Sequence, residues 1–137
     1  MSDDVIVRVI AKITIPIIFI FGLYIFMHGS VAPGGAFQAG AIFASAIIIY
    51  CLTNGTDSLL TIVSIKTLEK LIVMGVSIYA FIGFACIFKG GKFLEYKVLF
   101  EDPYQGQSLG IIGIEVGVAL TVTTVITYIY LLFVRQD

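Results

Sequence analysis

Apolar residues run along this chain in four long stretches, separated by shorter polar segments. An α-helix needs roughly 20 residues to cross the hydrocarbon core of a bilayer. A membrane barrel would instead need many alternating segments of about ten residues, which four continuous stretches do not supply. The pattern therefore predicts an all-α membrane protein with four transmembrane helices, at about residues 9–27, 36–52, 71–88 and 109–133.

The connections between these spans differ in character. A turn-forming segment, TNGTDS, follows the second span, and residues 59–72 then lead into the third. Those residues begin apolar and then carry Lys66, Glu69 and Lys70, so we predict a short interfacial helix between the second and third spans. The long polar loop at residues 89–108 is expected to be solvated or to face another subunit. We expect residues 1–137 to form a single membrane domain.

Composition supports the same class of protein. Hydrophobic residues make up 59% of the chain and charged residues 12%, whereas soluble domains carry about 25% charged residues. No basic cluster is present, so nucleic acid is not an expected partner. No metal-ligand spacing, phosphate loop or nucleophile–base pair is recognisable, so we expect no enzyme activity, no bound metal and no cofactor. Cys51 and Cys86 are interpreted as small packing residues.

The basic residues predict the orientation in the membrane. Both termini of a four-span chain share a side with the connection between the second and third spans. That side carries more basic residues than the other, which favours termini in the cytoplasm. Acidic residues precede the first arginine, so we also expect no cleaved signal peptide. The basic residues are Arg8, Lys12, Lys66, Lys70 and Arg135 on the first side and Lys89, Lys92 and Lys97 on the other.

Small residues recur at intervals of four in two spans. The second span carries Ala36, Gly40 and Ala44, and the fourth carries Gly113 and Gly117. Residues four apart share a helix face, and small side chains let membrane helices approach backbone to backbone. Such faces serve either packing within the chain or contacts with other subunits, and the sequence leaves both open.

The segment HGSVAPGGAFQAG, residues 28–40, interrupts the apolar pattern. Proline suits the first turn of a helix, and glycine permits a tight reversal. We therefore predict a tight turn between the first two spans. Its structural residues are taken to be Gly29, Pro33, Gly34, Gly35 and Gly40.

Two ionisable residues near this turn are candidates for chemistry. His28 is the only histidine, and a histidine can exchange a proton near neutral pH. Glu115 is the only acid well inside a predicted span, where a charge costs about 2.5–3.5 kcal/mol at the helix centre and so usually faces protein or water. Each side chain either makes a structural hydrogen bond or lies on a path for protons or sodium ions. The topology places both toward the membrane face opposite the termini.

Phe37 and Gln38 begin the second span and complete the set of ion-path candidates. Phe37 is expected to pack, with gating of a path as the alternative. Gln38 offers a polar side chain at the same helix start.

Residues 22–40, GLYIFMHGSVAPGGAFQAG, resemble the signature of the B subunit (the MnhB/MrpB family) of Mrp-type sodium/proton antiporters. That signature has His-Gly, two or three residues, Pro-Gly-Gly-Gly-Phe, one residue and Gly-Gly. Ala36 and Ala39 stand where glycine is usual, which puts in doubt any backbone conformation that needs a positive φ there. The matching residues are His28, Gly29, Pro33, Gly34, Gly35, Phe37 and Gly40.

The resemblance implies one small subunit of a large assembly that exchanges protons for sodium across the bacterial cytoplasmic membrane. Its implied partners are the other Mrp-type antiporter subunits, the lipid bilayer, sodium ions and protons. Related modules occur in membrane-bound hydrogenases and sulfane sulfur reductases, so the equivalent module of a respiratory hydrogenase-type complex is an alternative. A purely structural adaptor subunit is a further alternative.

Overall fold

The computed structural model describes residues 2–29 and 35–136. Within these residues the chain forms helices and no strand. Four of the helices are long and apolar enough to cross a membrane, which confirms the predicted all-α fold with four spans. The helices are α1 (Ser2–Met27), α2 (Ala36–Asn54), the short α3 (Thr56–Ile62), α4 (Ile65–Phe88) and α5 (Pro103–Arg135), with a 3-10 turn at Tyr96–Val98.

Capping residues set the helix starts, and these differ from the predicted bounds. The side chain of Ser64 accepts a hydrogen bond from the Thr67 N–H at 3.2 Å and starts α4. Residues 65–72 are therefore the first turns of α4, and the short helix lies before them, at Thr56–Ile62. Asp102 likewise accepts from the Tyr104 N–H at 3.0 Å and starts α5. Apolarity shows which part of a helix can lie in lipid, whereas the cap decides where the helix begins.

The long helices pack in the order α1, α2, α5, α4, with α2 and α5 in the middle. The start of α1 is joined to the end of α2, because the Arg8 Nε donates to the Thr53 carbonyl at 3.2 Å. The Tyr128 hydroxyl, late in α5, donates to Glu69 Oε1 near the start of α4 at 2.9 Å. Both termini and the α2–α4 connection therefore lie on one side of the bundle.

Small residues form the interior of the bundle. Ala39, Ala44, Ala46 and Cys86 are fully buried, whereas most large apolar side chains are exposed. Lipid gives no reason to bury large apolar groups, so membrane helices gain most from close van der Waals packing. The exposed surface is therefore suited to lipid and to other membrane helices.

The α4–α5 contact shows how closely the backbones approach. A Cβ atom added at Gly75 would overlap the Thr121 hydroxyl and would lie 2.9 Å from the Gly117 carbonyl oxygen. A Cβ atom at Gly117 would in turn lie 3.0 Å from the Gly75 carbonyl oxygen. Each glycine thus makes room for the backbone of the other helix.

The α2–α5 contact uses the small face predicted for the second span. A Cβ atom at Gly40 would lie 2.8 Å from Val122 Cβ and 3.0 Å from the Ala119 carbonyl oxygen. The Thr123 hydroxyl also donates to the Gly40 carbonyl at 3.2 Å. For these small residues, the structure supports packing within the chain, the first of the two alternatives.

The loop between α4 and α5 folds back onto the helices. The ring of Phe93 contacts Gly83, and Tyr96 covers Gly110. Burial raises the pKa of the Tyr96 phenol above its ordinary value. Because α5 has 33 residues, it is about 50 Å long at 1.5 Å per residue and exceeds a hydrocarbon core of about 30 Å. Part of α5 therefore extends beyond the bilayer core.

Candidate functional site

The carboxyl group of Glu115 lies close to Gly29, just after the end of α1, and Gly29 in turn lies close to Gly35 at the start of α2. A Cβ atom added at Gly29 would lie 3.7 Å from Glu115 Oε1 and 2.8 Å from Gly35 Cα. Glu115 itself is half-buried. The chain thus brings together an acid from the fourth span and the backbone on both sides of the predicted turn.

Helix register produces this meeting. Gly40 contacts Ala119 on α5, and α2 and α5 run in the same direction. Glu115 lies one helical turn before Ala119, so it is level with the first residues of α2. Gly35 has a φ of 144°, a conformation that other residues rarely adopt, and its carbonyl accepts the Ala39 N–H at 2.9 Å. The close contact between α2 and α5 therefore fixes the height of the carboxyl group.

His28 lies next to Gly29 but turns back along α1. Its Nδ1 is 3.0 Å from the Tyr24 carbonyl oxygen, and its ring stacks on the Tyr24 ring with centroids 4.2 Å apart. The ring is exposed. The stacking and the Nδ1 contact hold the ring against the last turns of α1.

The other predicted site residues are distributed around this meeting point. Phe37 is 64% exposed, so it does not pack inside the bundle of this chain. Gln38 is also exposed, and its Oε1 would lie 4.0 Å from a Cβ atom at Gly35. Pro33 and Gly34 lie outside the described residues.

The sequence predicts Gly40 as part of the turn, but the residue lies inside α2, where its lack of a side chain makes room for α5. Ala36 and Ala39 are also helical and buried there. Alanine is compatible with that helical backbone, so neither position needs the positive φ that the family's glycines would allow.

Sequence reasoning missed an open apolar groove that includes Val116, the residue after Glu115. The groove has a volume of about 390 Å³ and is bounded by α1, α2 and α5. The available signal was the spacing of Phe19, Leu23 and Phe26, which repeats at helical intervals on α1. The groove is lined by Phe19, Leu23, Phe26, Phe43, Val116, Ala119, Leu120 and Thr123.

Metal-ligand side chains do not cluster at this site. Within residues 2–29 and 35–136, no group of three or more histidine, cysteine, aspartate or glutamate side chains converges. A cation at Glu115 would therefore need backbone carbonyls or groups from another subunit as its further ligands.

Known proteins are similar to this chain over most of its length. Residues 6–128 match a family described as a domain related to the MnhB subunit of the Na⁺/H⁺ antiporter. A candidate antiporter subunit named mnhB2 from Staphylococcus haemolyticus (strain JCSC1435) is 34% identical over 133 residues, covering 95% of this chain and 94% of that protein. The protein of the same name from Staphylococcus aureus (strain Newman) is 32% identical over 131 residues, covering 88% of this chain and 92% of that protein.

These matches cover most of the chain, including the specific motif at residues 22–40, and they agree with the four membrane-length helices. This multi-pass membrane chain belongs to the family of proteins related to the MnhB subunit of Na⁺/H⁺ antiporters.

Proposed function

We propose that this chain is a small, non-catalytic subunit of a multisubunit Na⁺/H⁺ antiporter in the bacterial cytoplasmic membrane. The family match over residues 6–128 carries the proposal. The packing order supports it, because the outer helices α1 and α4 expose large apolar faces. Four helices in one row offer surfaces to neighbouring subunits, and the remaining antiporter subunits are the partners.

We further propose that Glu115 contributes to an ion path at the boundary with those subunits. Glu115 is half-buried, and its Oε1 lies close to Gly29, just after the last turn of α1; the final carbonyls of a helix generally have no partner from the helix itself. A carboxylate and nearby carbonyl oxygens are hard ligands of the kind that sodium prefers. His28, Gln38 and Phe37 surround the same helix ends and complete the candidate path.

The proposal is tested by purifying the detergent-extracted complex through an affinity tag on this chain and identifying its partners. We expect the other antiporter subunits to copurify. Deletion of the chain should abolish Na⁺-driven proton exchange in everted membrane vesicles, and a plasmid copy should restore it. Copurification of hydrogenase or iron–sulfur subunits would instead support the hydrogenase-type module and would contradict the antiporter assignment.

Cysteine labelling tests the predicted orientation. Cys51 and Cys86 are both free and buried, at 3% and 0% exposure, so their background labelling by a maleimide should be low. With the termini in the cytoplasm, Asp57→Cys should be labelled from the cytoplasmic side alone. Lys92→Cys, in the loop between α4 and α5, should be labelled from outside alone, and the reverse pattern would overturn the orientation.

A further inference from the structure

One face of α4 carries two lysines followed by apolar and small residues. Lys66, Lys70, Val73, Ser77 and Phe81 recur at intervals of three or four, so they lie along one line of the helix. All of them are exposed. We call this set the α4 stripe. Because α4 packs mainly on α5 and lies at one edge of the bundle, the stripe faces away from the chain's own helices.

The charges at the start of the stripe are arranged to receive an anion. Lys66 and Lys70 are one turn apart, where two like charges repel each other. Glu69 lies between them in sequence, but its carboxylate is directed toward α5, because its Oε1 accepts a hydrogen bond from the Tyr128 hydroxyl at 2.9 Å. An open cleft of about 430 Å³ remains, lined by Lys66, Glu69, Lys70 and Val73.

We propose that this cleft binds the phosphate headgroup of an anionic phospholipid, with an acyl chain lying along Val73, Ser77 and Phe81. A phosphate between Lys66 and Lys70 would relieve their mutual repulsion through charge-assisted hydrogen bonds. The proposal goes beyond the antiporter role and does not depend on which complex contains the chain.

The dimensions fit a lipid that is held in one leaflet. Phe81 lies three turns beyond Lys70, or about 16 Å at 1.5 Å per residue. Half of a hydrocarbon core of about 30 Å is about 15 Å, which is the depth that an acyl chain fills. Tyr128, beside the cleft, is a residue type enriched at the membrane–water interface. A free phosphate would use the lysines alone, whereas a phospholipid matches the whole stripe.

The test is a lipid analysis of the intact complex, purified in mild detergent from membranes that contain phosphatidylglycerol. We expect the native complex to retain phosphatidylglycerol in native mass spectra and the variant Lys66→Gln/Lys70→Gln to lose it. Lys66→Arg/Lys70→Arg should keep the lipid. The matched control Lys92→Gln/Lys97→Gln removes two lysines from the opposite side and should retain it as well.

Photo-crosslinking keeps the proposal testable even where the double variant fails to assemble. Benzoylphenylalanine placed at Phe81, with both lysines intact, should form an adduct with phospholipid. A crosslink to another subunit would show that a protein helix covers the stripe and would overturn the proposal. Equal phosphatidylglycerol retention by the native and Lys66→Gln/Lys70→Gln complexes would overturn it too, whatever the antiport activity of either.

Discussion

Replacing Glu115 with glutamine is expected to reduce Na⁺-driven proton exchange by about tenfold or more, since groups that transfer protons typically contribute roughly 10²–10⁴-fold. Glutamine keeps the size and hydrogen-bonding capacity of the side chain but can neither ionise nor carry a proton. The position of the side chain near Gly29 should therefore survive, and only the charge is lost. Exchange is measured in vesicles that contain the assembled complex, with subunit content determined from the same membranes.

Two matched variants separate transport from structure. Glu101→Gln changes an exposed acid in the loop before α5 and should leave exchange unchanged. Glu115→Asp retains an ionisable group on a shorter side chain and should recover part of the activity. Full exchange by Glu115→Gln in a normally assembled complex would remove Glu115 from the path and would leave the adaptor role as the better description of this chain.

The second large effect is expected at the crossing of α4 and α5. Gly75→Val should destabilise the chain by about 3 kcal/mol or more, at the upper end of the usual cost of overpacking. The added atoms would meet the Thr121 hydroxyl and the backbone of Gly117 at 2.9 Å, and backbone atoms cannot move aside as a flexible side chain can. Thermal unfolding of the detergent-solubilised protein measures the loss, and a lower amount in the membrane should accompany it.

Ser108→Val is the matched control for this substitution. Ser108 is exposed on α5, the other helix of the crossing, so the same new side chain meets no close contact within the chain. Gly75→Ala should fall between Gly75→Val and the native protein, because it adds only the first clashing atom. Native stability of Gly75→Val would contradict the backbone-to-backbone crossing on which the order of the helices rests.

Particular residues show how far sequence reasoning could reach. The long apolar stretches gave the spans, because the hydrocarbon core demands a certain length regardless of the partners of each helix. Gly40 shows the limit: its spacing from Ala36 and Ala44 predicted a contact face, but nothing local showed that Ala119 and Val122 would fill it. The start of α4 was misplaced for a similar reason, since the Ser64 cap is a local geometric event that apolarity does not report.

The candidate site likewise has some features that the sequence shows and others that depend on the fold. His28 and Glu115 stand out in sequence because ionisable residues are rare in membrane spans. The neighbours of these two side chains depended on the fold. His28 contacts Tyr24 of its own helix, whereas the Glu115 carboxyl lies close to Gly29. The exposure of Phe37 could not be predicted, and the spacing of the α1 side chains gave only one wall of the apolar groove, since both depend on which helices are neighbours.

The sequence by itself determined that this chain crosses the membrane four times, roughly where it does so, and which of its rare polar residues need a protein or water environment. Only the tertiary structure decided that α2 and α5 lie in the middle and that Glu115 is level with the ends of α1 and α2. The physical reason is that crossing a bilayer depends on each segment's own apolarity, whereas helix pairing depends on small complementary surfaces far apart in the chain.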